Sequence, residues 1–314
     1  MTTAIQASSR SLHPRNLHQG DYPMQALVNS SPQLQPFLFP AKSGNSSINF
    51  SDPAAVKALN TALLAHYYGI AVWDIPAGYL CPPVPGRADY IHGIADLLAA
   101  DNGGKIPRDK QVVGLDIGVG ANAIYPIIGS QSYGWKFVGS DVDPVAVKAA
   151  TMLARANANL QPLLKVRQQT QLDSIFGGII TPQDNFSFAM CNPPFHRSAQ
   201  EAAQGSQRKV SNLTRHTKKR NPQLQSKQDQ GKLNFAGTHN ELWCEGGELG
   251  FINKMIAQSV DYAEQVGWFT SLVSKKENLP LIGKYFAQLG ITNTKTIDMY
   301  QGQKHSRFIA WTFN

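Results

Sequence analysis

Apolar residues are distributed unevenly along the chain. Residues 1–50 are rich in Pro, Ser, Asn and Gln, with only short apolar patches such as FLFP at 37–40, and predict an irregular arm. Its distinctive feature is a basic-aromatic patch, HPRNLHQGDY, at 13–22. The stretch 53–68, PAAVKALNTALLAHYY, predicts an amphipathic helix with Asp52 as N-cap and Pro53 at the first helical position. CPPVPGR (81–87) predicts a turn, ADYIHGIADLLAA (88–100) a second helix, and DNGGKIPRDK (101–110) a polar connector.

From residue 111 the pattern changes to short apolar runs alternating with helical ones. QVVGLDIG (111–118), WKFVGSDV (135–142), LLKVRQQ (163–169), NFSFAMCN (185–192), GWFTSLVS (267–274) and RFIAWTF (307–313) read as strands. Helices are expected from Pro144, over 251–266 where Ile252, Met255, Ile256, Val260 and Ala263 keep helical spacing, and over 279–289. Strands separated by helices imply right-handed crossovers and an open α/β fold with a mainly parallel central sheet. Ligands in such sheets bind beyond the carboxyl ends of the strands.

Composition narrows the setting. The chain has 314 residues, 42% of them hydrophobic, enough to bury a sizeable core. No apolar run approaches the ~18–20 residues that cross a bilayer, and the first residues lack the apolar stretch of a secretory signal. Cys81, Cys191 and Cys244 are odd in number and far apart, which argues against a disulfide framework or a zinc site. A cytoplasmic protein without metal is expected. The net charge is +8. Between Arg197 and Glu241 nine Lys/Arg face three acids in a Gln/Ser/Asn-rich stretch. Such a segment buries too little apolar surface to offset its ordering entropy, so a mobile basic insertion is expected at about 198–240. It is either a plain solvated loop or a phosphate-binding one.

Three motifs carry chemistry. GLDIGVGAN (114–122) runs a strand into a turn with Gly118 and Gly120. A lone Gly-x-Gly also serves an ordinary strand–helix corner, and the third glycine of the dinucleotide fingerprint is missing. Asp141 ends the next strand, where an acid can accept hydrogen bonds from ribose hydroxyls or cap a helix. Asp143, directly before Pro144, is the more natural cap. An adenosine-bearing cofactor without phosphate fits this pair, and S-adenosylmethionine fits best. The third motif is Asn192-Pro193-Pro194-Phe195 at the end of the fourth strand. The amino group on a nucleobase is a poor nucleophile because its lone pair is delocalised into the ring. Two acceptors, the Asn192 side-chain oxygen and the Pro193 carbonyl, would localise that pair, while Phe195 offers a face for a flipped base. Alone, Asn-Pro-Pro is a strand terminator; behind the other two motifs it reads as an amine clamp.

NPPF following DIGVGA and GSDVDP resembles the Rossmann-like class I S-adenosylmethionine-dependent methyltransferases that act on amino groups. LHPRNLHQGDY, INFSDPAAVKALNTALL, GYLCPPVPGRADYIHGIADLL and SRFIAW narrow the likeness to the bacterial ribosomal RNA large subunit methyltransferase F family. That resemblance implies methylation of an adenine N6 in 23S rRNA. It also implies that Arg87 contacts the cofactor, through a forked pair of hydrogen bonds to its carboxylate. Gly118, Gly120, Asn122, Asp141, Thr170 and Asn192 are implied as the rest of the cofactor site. Asn192 through Phe195 match the family's catalytic tetrad.

The expected organisation is an N-terminal extension over 1–105 contributing to RNA and cofactor binding, and a methyltransferase domain over 106–314. His13, Arg15, Arg215, Lys218, Lys219 and Arg220 are the candidate RNA contacts. The expected partner is 23S rRNA or a large-subunit assembly intermediate, with the protein a monomer. The competing readings are an rRNA guanine-N2 methyltransferase and a catalytically inactive RNA-binding assembly factor.

Overall fold

The computed structural model describes residues 11–41, 44–194, 244–301 and 304–314. Among the described residues the first regular elements are α1 (Met24–Ser30) and a small antiparallel pair, β1 (Leu38–Pro40) and β2 (Ser46–Ile48). Two long helices follow, α2 (Pro53–Tyr68) and α3 (Val84–Ala100). Asp52 caps α2 by accepting from the Ala54 amide at 2.9 Å, and Gly69, at φ 64°, ends it in the left-handed conformation. The helix expected from residue 88 starts four residues earlier, with Pro85 in its first turn. A proline there forfeits no helical hydrogen bond, so the Pro-rich run is the start of the helix rather than a turn before it.

The second half builds a seven-stranded sheet from β3 (Val113–Ile117), β4 (Lys136–Asp141), β5 (Leu164–Gln168), β6 (Phe186–Cys191), β7 (Val266–Val273), β8 (Asn293–Gln301) and β9 (Lys304–Thr312). The order is β5-β4-β3-β6-β7-β9-β8. The first five strands in that order are mutually parallel; β9 alone runs opposite, antiparallel to both β7 and β8. Successive strands step outward from β3 to β5, and then β6 returns to the other side of β3. Between β3 and β6 the winding reverses, which opens a crevice at their carboxyl ends.

Side chains alternate across the sheet. Phe188 and Met190 of β6 join a core with α2, α3 and α4 (Ile124–Tyr133), while Ala189 and Cys191 join a second core with α6 (Gly247–Ser259) and α7 (Leu279–Gln288). The helix from Pro144 is α5 (Pro144–Ala156), and Asp143 is its cap, accepting from the Val145 amide at 2.9 Å.

Five elements escape the sequence reading: the arm expected to be irregular over 1–50 forms α1 and the β1–β2 pair, where short apolar patches pack as local elements, and α4 and β8 were not foreseen. Pro126 and Gly129 mask the α4 pattern, although Pro126 sits in the first turn and Gly129 lies against the Phe137 ring. β8, NTKTIDMYQ, is a largely polar edge strand, and an exposed edge lacks the apolar run that marks a central one. Among the described residues no helix is long and apolar enough to cross a membrane.

Candidate active site

At the switch point a cavity of about 650 Å³ opens along the carboxyl ends of β3, β4 and β6. β3 feeds the glycine turn. Gly118 has φ +73°, and a Cβ built on it would meet nothing within 4 Å. Backbone conformation, not crowding, demands glycine there, and the side facing a ligand stays open. The Gly118 and Val119 amides both donate to the Ser140 carbonyl, at 2.8 and 2.9 Å, tying the turn to β4.

Asp141 ends β4 and organises its surroundings. One carboxylate oxygen accepts from the Gly120 amide at 2.9 Å and the other from the Asp143 amide at 3.0 Å. Each oxygen keeps a lone pair for a further donor, as a ribose diol requires. Burial raises its pKa, and these amide bonds oppose that rise.

The segment before α3 and the first turns of that helix, from Leu80 to Asp89, line the cavity from the N-terminal part of the chain. Arg87, on α3, donates to the Tyr125 hydroxyl at 2.8 Å with its guanidinium 5.5 Å from that ring's centre. Asn122 is buried: its side-chain oxygen accepts from the Ile124 amide and its carbonyl accepts from the Trp73 indole. The Tyr79 hydroxyl donates to Asp143. The segment between α2 and α3 is thereby pinned to both the glycine turn and the start of α5.

Asn192 and Pro194, just beyond the carboxyl end of β6, also line the cavity. The Asn192 side-chain oxygen is buried and, among the described residues, has no hydrogen-bond partner. A buried acceptor without a donor costs roughly 1–3 kcal/mol, so it invites an N–H from a bound molecule. The strand behind it is braced: the Tyr90 hydroxyl bonds Thr270 Oγ1 at 2.8 Å and donates to the Cys191 carbonyl at 3.4 Å.

The residues singled out in the sequence are not all gathered here. Arg87, Gly118, Gly120, Asn122, Asp141, Asn192 and Pro194 line one cavity. Pro193 is buried between Asn192 and Pro194. Thr170 is exposed, between Gln169 and Leu172, which do line the wall. His13 and Arg15 lie in the N-terminal arm and pair with Asp96 of α3 at 2.8 and 2.7 Å. Arg15 also donates to the Tyr133 hydroxyl and the His92 carbonyl. Both side chains thus clasp the arm to α3. Phe195, Arg215, Lys218, Lys219 and Arg220 lie outside the described residues, as does the 198–240 insertion.

One residue the sequence reading passed over is Asp116, in the middle of β3. It is completely buried, with no hydrogen-bond partner on either oxygen among the described residues. Burial and the neighbouring Asp141 push its pKa well above the carboxylate range, and the Arg87 charge opposes them. An acid inside an apolar strand, two residues before the glycine turn, was the available signal, because burying a charge is costly unless something balances it. Among the described residues no group of three His, Cys, Asp or Glu is arranged to hold a metal ion.

A winding that reverses beside a glycine turn, with acids on two adjacent strands and Asn-Pro-Pro on a third, defines a class I S-adenosylmethionine-dependent methyltransferase. Comparison with known proteins narrows the class. A family model described as RNA methyltransferase matches residues 6–314, and the chain belongs to that family. Ribosomal RNA large subunit methyltransferase F of Pseudoalteromonas atlantica is 60% identical, over 98% of this chain and 93% of the relative. The protein of the same name from Photobacterium profundum is 53% identical over 97% and 92%. Among solved structures, the human Mettl16 catalytic domain in complex with a MAT2A 3′UTR hairpin superposes with a TM-score of 0.77 at 28% identity, covering 97% of this chain and 96% of that one. The N-terminal domain of human METTL16 in complex with SAH gives 0.72 at 27% identity, covering 97% and 99%.

Proposed function

We propose that this chain transfers a methyl group from S-adenosylmethionine to the N6 amino group of an adenine in 23S rRNA. The observation that carries the proposal is the buried Asn192 side-chain oxygen on the cavity wall, without a hydrogen-bond partner among the described residues. Together with the Pro193 carbonyl it would accept both N–H bonds of an exocyclic amine. Two acceptors on those hydrogens free the nitrogen lone pair, and they stabilise the positive charge that grows as nitrogen is alkylated. No strong base is required; orientation supplies most of the rate.

The residues present fit the cofactor. Asp141 would hold its ribose hydroxyls, the open side of Gly118 admits its close approach, and Arg87 would hold its carboxylate. Asp116 is completely buried and not part of the cavity lining, so its influence on the cofactor would pass through the Arg87 charge that it faces. When bound, the cofactor supplies an electrophilic methyl on a sulfonium. Phe195 would stack on the extruded adenine.

The names of the relatives support ribosomal RNA as the substrate, and the complex of the Mettl16 catalytic domain with an RNA hairpin supports RNA on this fold. We read residues 1–105 as an extension that roofs the cofactor site and helps to bind RNA. His13 and Arg15 would serve it by holding the arm in place, or with their remaining donors. Arg215, Lys218, Lys219 and Arg220 would contact phosphates of 23S rRNA or of an assembly intermediate, in the cytoplasm, with the enzyme a monomer.

The test is incubation of unmodified 23S rRNA with the enzyme and methyl-labelled cofactor, followed by nucleoside digestion and mass spectrometry. Labelled N6-methyladenosine is expected. Labelled N2-methylguanosine would replace adenine with guanine as the target, and no label would leave an inactive RNA-binding factor. Asn192→Ala is expected to lower turnover by roughly 10²–10³-fold, as loss of one transition-state hydrogen-bonding group does elsewhere. Cofactor affinity in that variant should change little by comparison.

A further inference from the structure

The β8–β9 hairpin runs beyond the body of the sheet. The last pairing of β9 with β7 is Val273 opposite Arg307. Beyond it β8 and β9 pair only with each other, through Met299–Ser306, Tyr300–His305 and Gln301–Lys304. At ~3.3 Å per residue this tongue extends about 10 Å past the end of β7. A two-stranded ribbon in water is marginal, so what decorates it needs a reason.

Tyr300 and His305 face each other across the tongue with ring centres 4.6 Å apart and planes within 10°. His305 Nε2 bonds Asp298 Oδ1 at 2.7 Å, and Arg307 Nε lies 3.7 Å from the same oxygen, which holds the imidazole in that plane. Neither ring belongs to a hydrophobic core, and the His305 side chain is 39% exposed. Yet both line the cavity that contains Asn192. The fold has no packing need for an orientated, part-exposed ring pair, whereas a π-face at the mouth of a site suits a planar ligand. β9 lies two strands from β6, roughly 10 Å across the sheet at ~4.8 Å per strand. That is too far for the ring held at Asn192, and suited to a ring beside it.

We propose that the Tyr300–His305 pair is a stacking platform for a base adjoining the target adenine, and so contributes to binding and placing the RNA. The inference rests on the reading that this site methylates RNA. Stacking a base on the pair compensates a target nucleotide's neighbour for the partner it loses on extrusion, and it tolerates any base because each has a π-face.

The experiment measures KM and kcat on transcribed 23S rRNA, RNA affinity by anisotropy, and cofactor affinity for wild type, Tyr300→Ala, His305→Ala and Tyr300→Phe. Loss of one stacked base corresponds to about a tenfold rise in KM and in the RNA Kd for each alanine variant. The loss should fall on KM more than on kcat, and Tyr300→Phe, which keeps the ring, should recover most of the affinity. Cofactor affinity reports that each variant is folded. Should Tyr300→Ala lose that affinity, His305→Ala, which truncates only a part-exposed ring, decides the matter. Wild-type methylation of rRNA with RNA affinity unmoved in folded alanine variants overturns the platform and leaves the function standing. Absence of methylation by wild type overturns the function, and the platform with it.

Discussion

Asp116 shows how a single side chain ties stability to the site. Burial first, and Asp141 second, hold its carboxyl well above the ordinary range, with Arg87 the opposing charge. The folded chain therefore binds more protons at this position than the unfolded chain does. Stability must then fall as pH rises from about 4, the unfolded carboxylate range, through the raised folded-state value. Asp116→Asn removes that contribution while nearly preserving volume. Urea denaturation from pH 4 to pH 8 should show the variant gaining on wild type as pH rises, with weakened cofactor binding as the functional consequence. Parallel curves for the two proteins would show that Asp116 is not the group concerned.

At the scale of elements, α3 is the member that joins roof to sheet. It carries Arg87 over the cavity and Tyr90 against β6 and β7, and Gly93 is where it touches β9. Helix propensity alone favours Gly93→Ala by about 0.5–1 kcal/mol. Packing opposes it, because a Cβ there would lie 2.6 Å from the Phe308 ring, which is itself completely buried. Overpacking of this kind costs ~1–3 kcal/mol, so a net loss of stability is expected in chemical denaturation. Since α3 would have to lift, cofactor affinity should drop as well. A more stable variant would contradict this packing.

For the whole molecule, the proposed RNA role of the basic stretch makes a prediction about charge. Six of the eight net positive charges fall between Arg197 and Glu241. Neutralising Lys218, Lys219 and Arg220 together should weaken 23S rRNA binding without altering cofactor affinity. The slope of log K against log salt should become shallower by roughly 2–3, one unit or slightly less for each phosphate no longer neutralised. An unchanged slope would remove these three residues from the RNA interface.

The Gly-x-Gly turn, Asp141, the Asn-Pro-Pro terminator and the alternation of strand and helix were legible in the sequence. Each is a local consequence of residue type: glycine for a positive φ, an acid at a strand end, apolar runs for buried parallel strands. The start of α3 at Val84 and the polar edge strand β8 were not, because a proline reads as a breaker whether it opens a helix or precedes one, and an edge strand carries little apolar signal. The role proposed for Arg87 came only by resemblance, and nothing in VPGRADY says that its guanidinium meets Tyr125. Asp116 and the Tyr300–His305 pair had no local mark beyond an acid in a strand and rings in a hairpin. The local chain thus determined which chemistry was at hand. Only the sheet order, by reversing beside β3 and bringing α3 and the β8–β9 tongue to one edge, decided which distant groups share a cavity, because those distances depend on packing and not on spacing.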